Sequence, residues 1–427
     1  MQSKVGIGAA LRCGSLGRAH VPGANGLSKW LLAMLSQLHK KITFSGFSMD
    51  SEPPGLVNRG QNLCFAISSL QCLFRTPEMG YLLEDWLSNS NLILGTNDEA
   101  FLCSFLNLLR ECLNRSLQQS TQECFINQCR VFMPQLVAAS ACQQEQQDAA
   151  EFVMTFLNVL HKILNSRRSR NKAHADASSS NEHNSEFLQL SISTLTKRML
   201  DHILQIAYKG WEVYERCNDS PIVHLFTGQT VDVHQCTTCL KTSVRTQVFN
   251  VLPITIVQAP RTGNCVRLYD LLGCFSEAER MDSRNSRGDL ELQAGPICNI
   301  VSHTSWLHRT LLSQTPSSVV LQLLRFQYDN ATGEAHKIKD PVRIPLYNMC
   351  LPNGSGTWPQ YKLYGVVVHV GVRSTQDGHY IAFAEDRIKE HWYKFDDELV
   401  SQVFDMEEEL AKPFIMENAY LLFYRKT

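Results

Sequence analysis

The chain has 427 residues, of which 44% are hydrophobic and 19% charged, so it can build a sizeable core and is not disordered as a whole. Its 40 Lys and Arg residues nearly balance 41 Asp and Glu residues, and the formal net charge of -1 argues against a broadly basic nucleic-acid or membrane-surface binder. No apolar run in the sequence approaches the ~20 residues of a transmembrane helix.

The 15 cysteines are an odd number and are scattered through apolar segments. This distribution is typical of reduced, mostly buried thiols and not of a disulfide framework. We therefore expect a reducing compartment, the cytoplasm or the nucleus.

Residues 1–49 contain no Asp or Glu. Apolar residues recur there at roughly helical spacing, at Leu27, Trp30, Leu31, Leu35 and Leu38. An acid-free segment with scattered arginines and an amphipathic stretch is typical of a mitochondrial transit peptide. We favour the alternative, a poorly ordered leader over residues 1–50 whose helix rests on the body of the protein, and keep a mitochondrial location as the second hypothesis.

The next part of the chain has a helical pattern. Apolar spacings of three and four residues predict helices over Phe65–Phe74, Phe101–Cys112 and Asp148–Leu164. The segment Ser166–Ser185 is rich in Arg, Ser and Asn and predicts a disordered, solvated insertion. Another amphipathic stretch follows over Phe187–Glu215.

After Val223 the pattern changes to short alternating or β-branched runs, which predict strands. These runs are Thr230–Val233, Val244–Pro253, Val319–Phe326, Leu363–Val370, His379–Ala384 and Tyr420–Tyr424. Helices first and strands later indicate an α+β fold with a functional site where the two halves meet.

Cys64 directly precedes the predicted helix Phe65–Phe74 and follows a turn-rich approach that contains Gly55 and Gly60. At a helix N-terminus, unpaired N–H groups and the helix dipole favour a thiolate, and the same amides can stabilise an oxyanion. One cysteine among 15 is a weak signal by itself, because most such thiols are ordinary buried residues.

Two later segments contain a base and an acid that suit a cysteine nucleophile. The sequence Asp377–Tyr380 places His379 at the start of a predicted strand, and Trp392–Asp397 ends in the paired acids Asp396 and Asp397. Histidine is the usual base near neutral pH, and a carboxylate can hold its imidazole in one tautomer, as in Cys-His-Asp and Cys-His-Asn triads. Sequence separation alone leaves open whether these residues meet.

Seven segments occur together in one order along the chain. They are GLVN with GQNLCF at 55–65, QQDAAEF at 146–152, LFTG with CTTC at 225–239, LQLLRF at 321–326, YGVVVHVG with DGHY at 364–380, WYKFDD at 392–397 and AYLLFYR at 419–425. In this order they resemble the ubiquitin-specific protease family of deubiquitinating cysteine proteases, over residues 55–427. The resemblance implies a papain-like core with a hand-like shape: a helical thumb over about 55–215, β fingers over about 225–320 and a β-rich palm over about 320–427.

By position, the resemblance implies that Cys64 is the nucleophile, that His379 is the general base, and that Asp396 orients His379 with Asp397 beside it. It implies cleavage of the isopeptide bond after the C-terminal glycine of ubiquitin, through an acyl-thioester and without a cofactor in the chemistry. The expected partners are ubiquitin and ubiquitinated proteins, bound by a monomer, and not nucleic acid. The alternatives are a catalytically weak ubiquitin-binding scaffold and an isopeptidase for another ubiquitin-like modifier.

The sequence leaves open which asparagine donates a hydrogen bond to the oxyanion. The family usually has an Asn five residues before the nucleophile, whereas Asn58 lies six residues before Cys64. Either Asn58 still reaches the site through a bulged turn, which we favour slightly, or Asn62 takes its place. Losing one such donor typically lowers turnover by ~10²–10³.

Gln147 and Asp148 begin a predicted helix, where Asp148 is expected to be either an N-cap or an electrostatic contact. The resemblance places this segment beside the C-terminal tail of ubiquitin, which is rich in arginine. A carboxylate has a physical reason to lie there, because it pairs with guanidinium groups.

A structural zinc site is a further prediction with an open alternative. Cys236 and Cys239 have the spacing of half a tetrahedral site. The resemblance places a second cysteine pair near Cys298, but Val301 stands in the position of the fourth cysteine and His303 is the nearest substitute. We favour the alternative to zinc on these four side chains, which is a degenerate finger of reduced thiols held by apolar contacts.

Overall fold

The computed structural model describes residues 52–76, 78–89, 92, 94–138, 146–166, 183–185, 192, 196–257, 265–282, 304–329, 334–351, 358–371, 378–386 and 389–427. The predicted leader and residues 167–182 of the predicted insertion lie outside the described residues, as do Cys298 and His303. The last residues of the predicted insertion, His183–Ser185, form a short strand.

The helices of the described residues are α1 (Cys64–Phe74), α2 (Met79–Asn89), α3 (Thr96–Leu113), α4 (Gln119–Phe132), α5 (Ala149–Leu164), α6 (Lys197–Cys217), α7 (Pro221–Phe226), α8 (Leu268–Phe275), α9 (Met406–Leu410) and α10 (Pro413–Asn418). A short π-helical turn, Pro134–Ala138, follows α4. The strands are β1 (His183–Ser185), β2 (Gly228–Cys236), β3 (Thr242–Phe249), β4 (Val251–Thr255), β5 (Val266–Arg267), β6 (Glu279–Asp282), β7 (Ser305–Gln314), β8 (Ser318–Leu324), β9 (Phe326–Asp329), β10 (Glu334–Lys337), β11 (Val342–Arg343), β12 (Met349–Cys350), β13 (Gln360–Val370), β14 (His379–Asp386), β15 (His391–Asp396), β16 (Leu399–Val403) and β17 (Ala419–Lys426).

Helix α1 lies at the centre of the molecule, and every one of its residues is buried. It contacts α5 on one side and strands β13 and β14 on the other, so it joins the helical half to the sheet. Phe65 of α1 meets Phe152 of α5 edge to face, with ring centroids 5.8 Å apart. Each fully buried Leu or Phe side chain of such a core stabilises the fold by about 1.5–3 kcal/mol.

The larger sheet has the strand order β16-β15-β14-β13-β17-β8-β4, with β12 paired to β13. Its neighbouring strands are antiparallel except for the parallel pair β4 and β8. One face lies against the helical half, and helices α8, α9 and α10 contribute to the apolar cluster on the other face. Because β14 and β15 are antiparallel, the first residue of β14 and the last residue of β15 lie at the same end of the sheet.

A second sheet, in the order β1-β3-β2-β7-β6, is antiparallel throughout. Helix α6 covers one face of it, where Ile203 and Ala207 join Val231 and Val233 in a small separate core. Most of α6 lies in the predicted thumb range, yet the helix packs on this sheet. Strand β4 lies in the predicted fingers range, yet it pairs with β8 in the larger sheet.

The α+β prediction is confirmed, with helices concentrated before Val223 and strands after it. None of the helices in the described part of the chain is long and apolar enough to span a membrane. None of the described cysteines forms a disulfide.

Candidate active site

Cys64 is the first residue of α1, and only 3% of its surface is exposed. Leu63 occupies the N-cap position without a side-chain cap, so the first amides of the helix lie close to the thiol. Burial raises the pKa of Cys72, in the same helix, to about 12 and does the same for Cys112. Those two thiols stay protonated at neutral pH, and Cys64 is distinguished from them by the polar groups that surround it.

The loop before Cys64 is a bulged turn. Arg59, Gly60 and Asn62 all have left-handed backbone angles, with φ of 44°, 71° and 52°. The backbone N–H of Gln61 donates to the carbonyl oxygen of Asn58 at 3.0 Å and closes the turn. This backbone accommodates a separation of six positions between Asn58 and Cys64, the first residue of the helix.

Asn58 is held at both ends of its side chain. Its Oδ1 accepts a hydrogen bond from the backbone N–H of Leu63 at 3.0 Å, and its Nδ2 donates to Oδ2 of Asp397 at 3.0 Å. The amide is thereby fixed beside the residue that precedes Cys64. Asn62 lies half-buried in the same loop.

Helix α4 fastens the other side of this loop. Gln122 pairs with Val57 twice: its Oε1 accepts from the backbone N–H at 2.9 Å and its Nε2 donates to the carbonyl oxygen at 2.6 Å. Arg130 donates to Oε1 of Gln61 at 2.9 Å, and Arg59 donates to Oε1 of Gln119 at 2.7 Å. A cavity of about 230 Å³ lies between the loop and the helix. The sequence offers no local signal for Gln122, because its role depends on a contact 65 residues away.

The sheet contributes the histidine and the acid. Nε2 of His379, the first residue of β14, lies 2.6 Å from Oδ1 of Asp396, the last residue of β15. Gly378 precedes His379 with φ of +122°, and a Cβ there would lie 2.3 Å from the carbonyl oxygen of Val370. Only glycine fits at this close approach to the carbonyl group of Val370, so Gly378 allows strand β14 to begin at His379.

His379 lies next to Cys64. Its hydrogen bond with Cys64 raises the pKa of the imidazole to about 9; partial burial opposes this increase and the hydrogen bond with Asp396 adds to it. Since Asp396 occupies Nε2, the other ring nitrogen, Nδ1, is left for the sulfur. The structure thus brings Cys64, His379 and Asp396 together where α1 meets the end of the sheet.

Asp397 links the two halves of the site. Its Oδ2 accepts the hydrogen bond from Asn58, while its Oδ1 is buried without a hydrogen-bond partner among the described residues. Burial raises the pKa of this carboxyl group, and the hydrogen bond from Asn58 opposes that increase. A Cβ on Gly55 would lie 2.5 Å from the carbonyl oxygen of Glu398, so the loop also approaches this turn too closely for a side chain.

Gln146 also contacts Cys64, although the sequence pattern drew attention to Gln147 and Asp148 instead. Its Nε2 donates to Sγ of Cys64 at 2.6 Å, and only 5% of the residue is exposed. The available signal was its place as the first letter of the QQD segment. No local pattern indicates that it reaches the sulfur.

Asp148 is the N-cap of α5, as one of the two interpretations predicted. Its Oδ1 accepts from the backbone N–H of Ala150 at 2.6 Å, and its Oδ2 accepts from the hydroxyl of Tyr420 at 2.6 Å. Burial raises the pKa of Asp148, and these hydrogen bonds oppose that increase. Gln147 lies half-buried beside it, so both residues stand next to the segment that reaches Cys64.

Cys236 is the last residue of β2, and Cys239 lies in the turn between β2 and β3 of the second sheet. Cys236 is buried and Cys239 is exposed, and the backbone N–H of Thr237 donates to the carbonyl oxygen of Ser305 at 3.2 Å. Among the residues that the structure describes, no group of three or more His, Cys, Asp and Glu side chains could hold a metal ion. The described residues alone therefore do not form a zinc site, and coordination that includes Cys298 and His303 stays a prediction.

Comparison with known proteins identifies relatives of the whole described region. The family model described as ubiquitin carboxyl-terminal hydrolase matches residues 54–424. The Drosophila melanogaster protein ubiquitin carboxyl-terminal hydrolase Usp2 is 27% identical over 378 residues, which are 87% of this chain and 35% of the relative. The probable ubiquitin carboxyl-terminal hydrolase 4 of Schizosaccharomyces pombe is 26% identical over 404 residues, 91% of this chain and 61% of the relative. The chain thus spans between about a third and three fifths of the length of these two relatives.

Solved structures share the fold. A yeast SAGA DUB module matches with a TM-score of 0.59 and 23% sequence identity, covering 92% of this chain and 74% of that chain. The SAGA Ubp8/Sgf11/Sus1/Sgf73 DUB module bound to ubiquitin aldehyde matches with a TM-score of 0.57 and 22% identity, covering 92% of this chain and 75% of that chain.

Proposed function

The chain belongs to the ubiquitin carboxyl-terminal hydrolase family, as its resemblance to ubiquitin-specific proteases predicted, and we propose that it is a cysteine-type deubiquitinase. The proposed substrate is ubiquitin joined through its C-terminal glycine to a lysine of another protein. One observation carries the proposal. The buried thiol of Cys64, at a helix start, lies against the imidazole of His379, whose Nε2 is hydrogen-bonded to the carboxylate of Asp396.

The first half-reaction is acylation. The thiolate of Cys64 attacks the carbonyl carbon of the terminal glycine, forming a C–S bond, and the carbonyl electrons become an oxyanion. As the C–N bond breaks, the protonated His379 gives its proton to the leaving lysine amine. Asp396 keeps the imidazole in place and stabilises its positive charge.

The second half-reaction is hydrolysis of the acyl-thioester. His379, now neutral, takes a proton from water, and the resulting hydroxide forms a C–O bond at the same carbon. The C–S bond breaks, and its electrons return to Cys64 as the thiolate. No cofactor takes part in either step.

Asn58 is the proposed oxyanion donor. Its Oδ1 accepts a hydrogen bond from the backbone N–H of Leu63, and one N–H of its side-chain amide donates to Asp397. The second N–H of that amide is therefore held in a defined direction beside the start of α1. Together with the first amides of α1 it would receive the oxyanion. Gln147 and Asp148 are the proposed contacts for the arginine-rich tail of ubiquitin.

The test is cleavage of a fluorogenic amide at the C-terminus of ubiquitin, with parallel substrates that carry other ubiquitin-like modifiers. We expect turnover of the ubiquitin substrate by the wild type and none by Cys64→Ala. A preference for another modifier would change the substrate and keep the chemistry. Intact protein that binds ubiquitin without any turnover would favour the scaffold and contradict the proposal.

A further inference from the structure

The thumb side of the site supplies its own hydrogen-bond donor to the nucleophile. Gln146 approaches Cys64 from the start of α5, and its Nε2 lies 2.6 Å from Sγ. His379 reaches the same sulfur from the opposite half of the molecule, at the start of β14. The sulfur is therefore held between an amide on the helical side and an imidazole on the sheet side.

The position of Gln146 is fixed by the elements around it. Two residues further on, Asp148 caps α5 and accepts a hydrogen bond from the hydroxyl group of Tyr420 in β17. This hydrogen bond anchors the start of α5 to the sheet. Helices α1 and α5 are held together in their first turns by the Phe65–Phe152 contact. The contact between Gln146 and Cys64 thus joins two helix starts that pack against each other.

The orientation of the amide favours a charged sulfur. A thiolate accepts hydrogen bonds and donates none, so it matches an N–H group and not a carbonyl oxygen. The other end of the amide, Oε1, is buried and has no hydrogen-bond partner among the described residues. A buried carbonyl oxygen without a partner is unfavourable, yet Gln146 keeps its Nε2 on the sulfur while its Oε1 stays unpaired within the described part of the chain.

We propose that Gln146 is a catalytic residue that donates a hydrogen bond to the thiolate of Cys64 and, with His379, holds this thiolate ready for attack. The inference rests on the proposed function for its place in the reaction. When the C–S bond forms, the negative charge leaves the sulfur, and this hydrogen bond weakens. When the thioester is hydrolysed, the charge returns and the hydrogen bond forms again.

A thiolate stabilised in this way is more abundant but less nucleophilic. If the midpoint of thiol ionisation moves by one pH unit, the thiolate fraction at pH values below both midpoints changes about tenfold, while the intrinsic reactivity of the thiolate changes about threefold in the opposite sense. The net effect at those pH values is therefore about threefold in favour of the wild type. At high pH, where both proteins are fully ionised, the sign reverses.

The test measures alkylation of Cys64 by iodoacetamide from pH 5 to 10 in the full chain, followed by mass spectrometry of the Cys64 peptide, and it needs no ubiquitin. For Gln146→Met, which keeps the side-chain volume and removes the donor, we expect a midpoint about one pH unit higher. Its rate should be about threefold lower at pH values below both midpoints and about threefold higher at the alkaline plateau, so that the two profiles cross. Gln146→Glu should shift the midpoint further, because it places a like charge beside the sulfur.

The control is Gln402→Met, the same substitution on β16, where Gln402 contacts His391 instead of the site. Its alkylation profile should coincide with that of the wild type. The melting temperature of Gln146→Met should stay the same or rise, because a buried oxygen without a partner is removed.

Coincident profiles for the wild type, Gln146→Met and Gln146→Glu would overturn the inference. A uniform slowing at every pH, without a crossing, would also overturn it, because that result indicates a structural role. If Gln146→Met failed to fold, the Gln146→Glu profile would decide alone. A wild type that shows the Gln146-dependent profile but cleaves no ubiquitin substrate would refute the proposed function and leave this inference standing.

Discussion

The two halves of the site are held in place by different kinds of interaction. His379 and Asp396 lie at the ends of neighbouring antiparallel strands, and the register of β14 and β15 is fixed by backbone hydrogen bonds. Cys64 follows a loop with three left-handed residues, and this loop is fastened by the side chains of Asn58, Gln122 and Arg130. The sheet half is therefore determined by the backbone ladder, and the loop half by individual side chains.

This difference has a consequence for mutational sensitivity. A substitution in the sheet half should change the chemistry of one group and leave the geometry of its neighbours unchanged. A substitution in the loop half can move both Cys64 and Asn58. A misplacement of about 1 Å is enough to lower a rate by ~10².

The largest effect is expected at Cys64, where the halves meet. Cys64→Ala should lower kcat by about 10⁴-fold or more, because no other described group can form the covalent intermediate, while the Kd for ubiquitin stays near that of the wild type. The measurement is cleavage of a ubiquitin C-terminal amide together with a binding titration. The matched control is Cys124→Ala on the exposed side of α4, which should keep normal turnover. Normal turnover in Cys64→Ala would show that another residue is the nucleophile.

The next effect concerns the loop. Asn58→Ala should lower kcat by ~10²–10³ with little change in KM, because it removes the proposed oxyanion donor and also leaves Oδ2 of Asp397 without its hydrogen bond. The loss of kcat in Asn62→Ala should be at least about tenfold smaller than in Asn58→Ala. Steady-state kinetics of the two variants compare them directly. Equal small effects would mean that backbone amides alone stabilise the oxyanion.

In the sheet half, the titration of His379 should make both the stability and kcat/KM depend on pH. The folded-state pKa of His379 is raised from 6.5 to about 9, so the stability gained from its protonated form is complete below pH 6.5 and is lost as the pH rises through 9. Since the protonated imidazole is the proposed proton donor to the leaving amine, kcat/KM should fall about fivefold between pH 9 and pH 10. In Asp396→Asn, which removes the carboxylate charge, this alkaline fall should begin at a lower pH. An unchanged profile in that variant would contradict the assigned pairing.

The smallest effect is expected at Gln122, which touches the loop but none of the reacting groups. Gln122→Ala should lower kcat about fivefold with an unchanged KM, because Val57 loses both hydrogen bonds that hold it beside Asn58. Gln119→Ala on the same helix removes only exposed side-chain hydrogen bonds, to Arg59 and Glu123, and should change kcat less than about twofold. Equal effects of the two substitutions would show that α4 does not position the loop.

The local patterns predicted the parts of the fold that depend on neighbouring residues. The helix predicted over Phe65–Phe74 starts one residue earlier, at Cys64, and the strand that starts at His379 was predicted as observed. These predictions, and that of the acid pair after the aromatic strand, used residues within about ten positions. The α+β class followed from the order of these elements. The comparisons support the same family as the seven ordered segments.

The contacts that were not predicted all join distant parts of the chain. Gln146 lies 82 residues from Cys64, and Gln122 lies 65 residues from Val57. The amphipathic pattern of α6 predicted a helix, but it did not indicate that this helix covers the second sheet instead of joining the helical half. A side-chain amide has no period or spacing that reveals its partner, so these roles require the tertiary structure.

The account is tested most directly by labelling with ubiquitin that carries a thiol-reactive group at its C-terminus, followed by peptide mapping. The account predicts one adduct, on Cys64, formed quickly by the wild type, formed slowly by Asn58→Ala and absent in Cys64→Ala. It also predicts that unmodified ubiquitin competes with this labelling. An adduct on another cysteine, or intact wild-type protein that forms none, would contradict it.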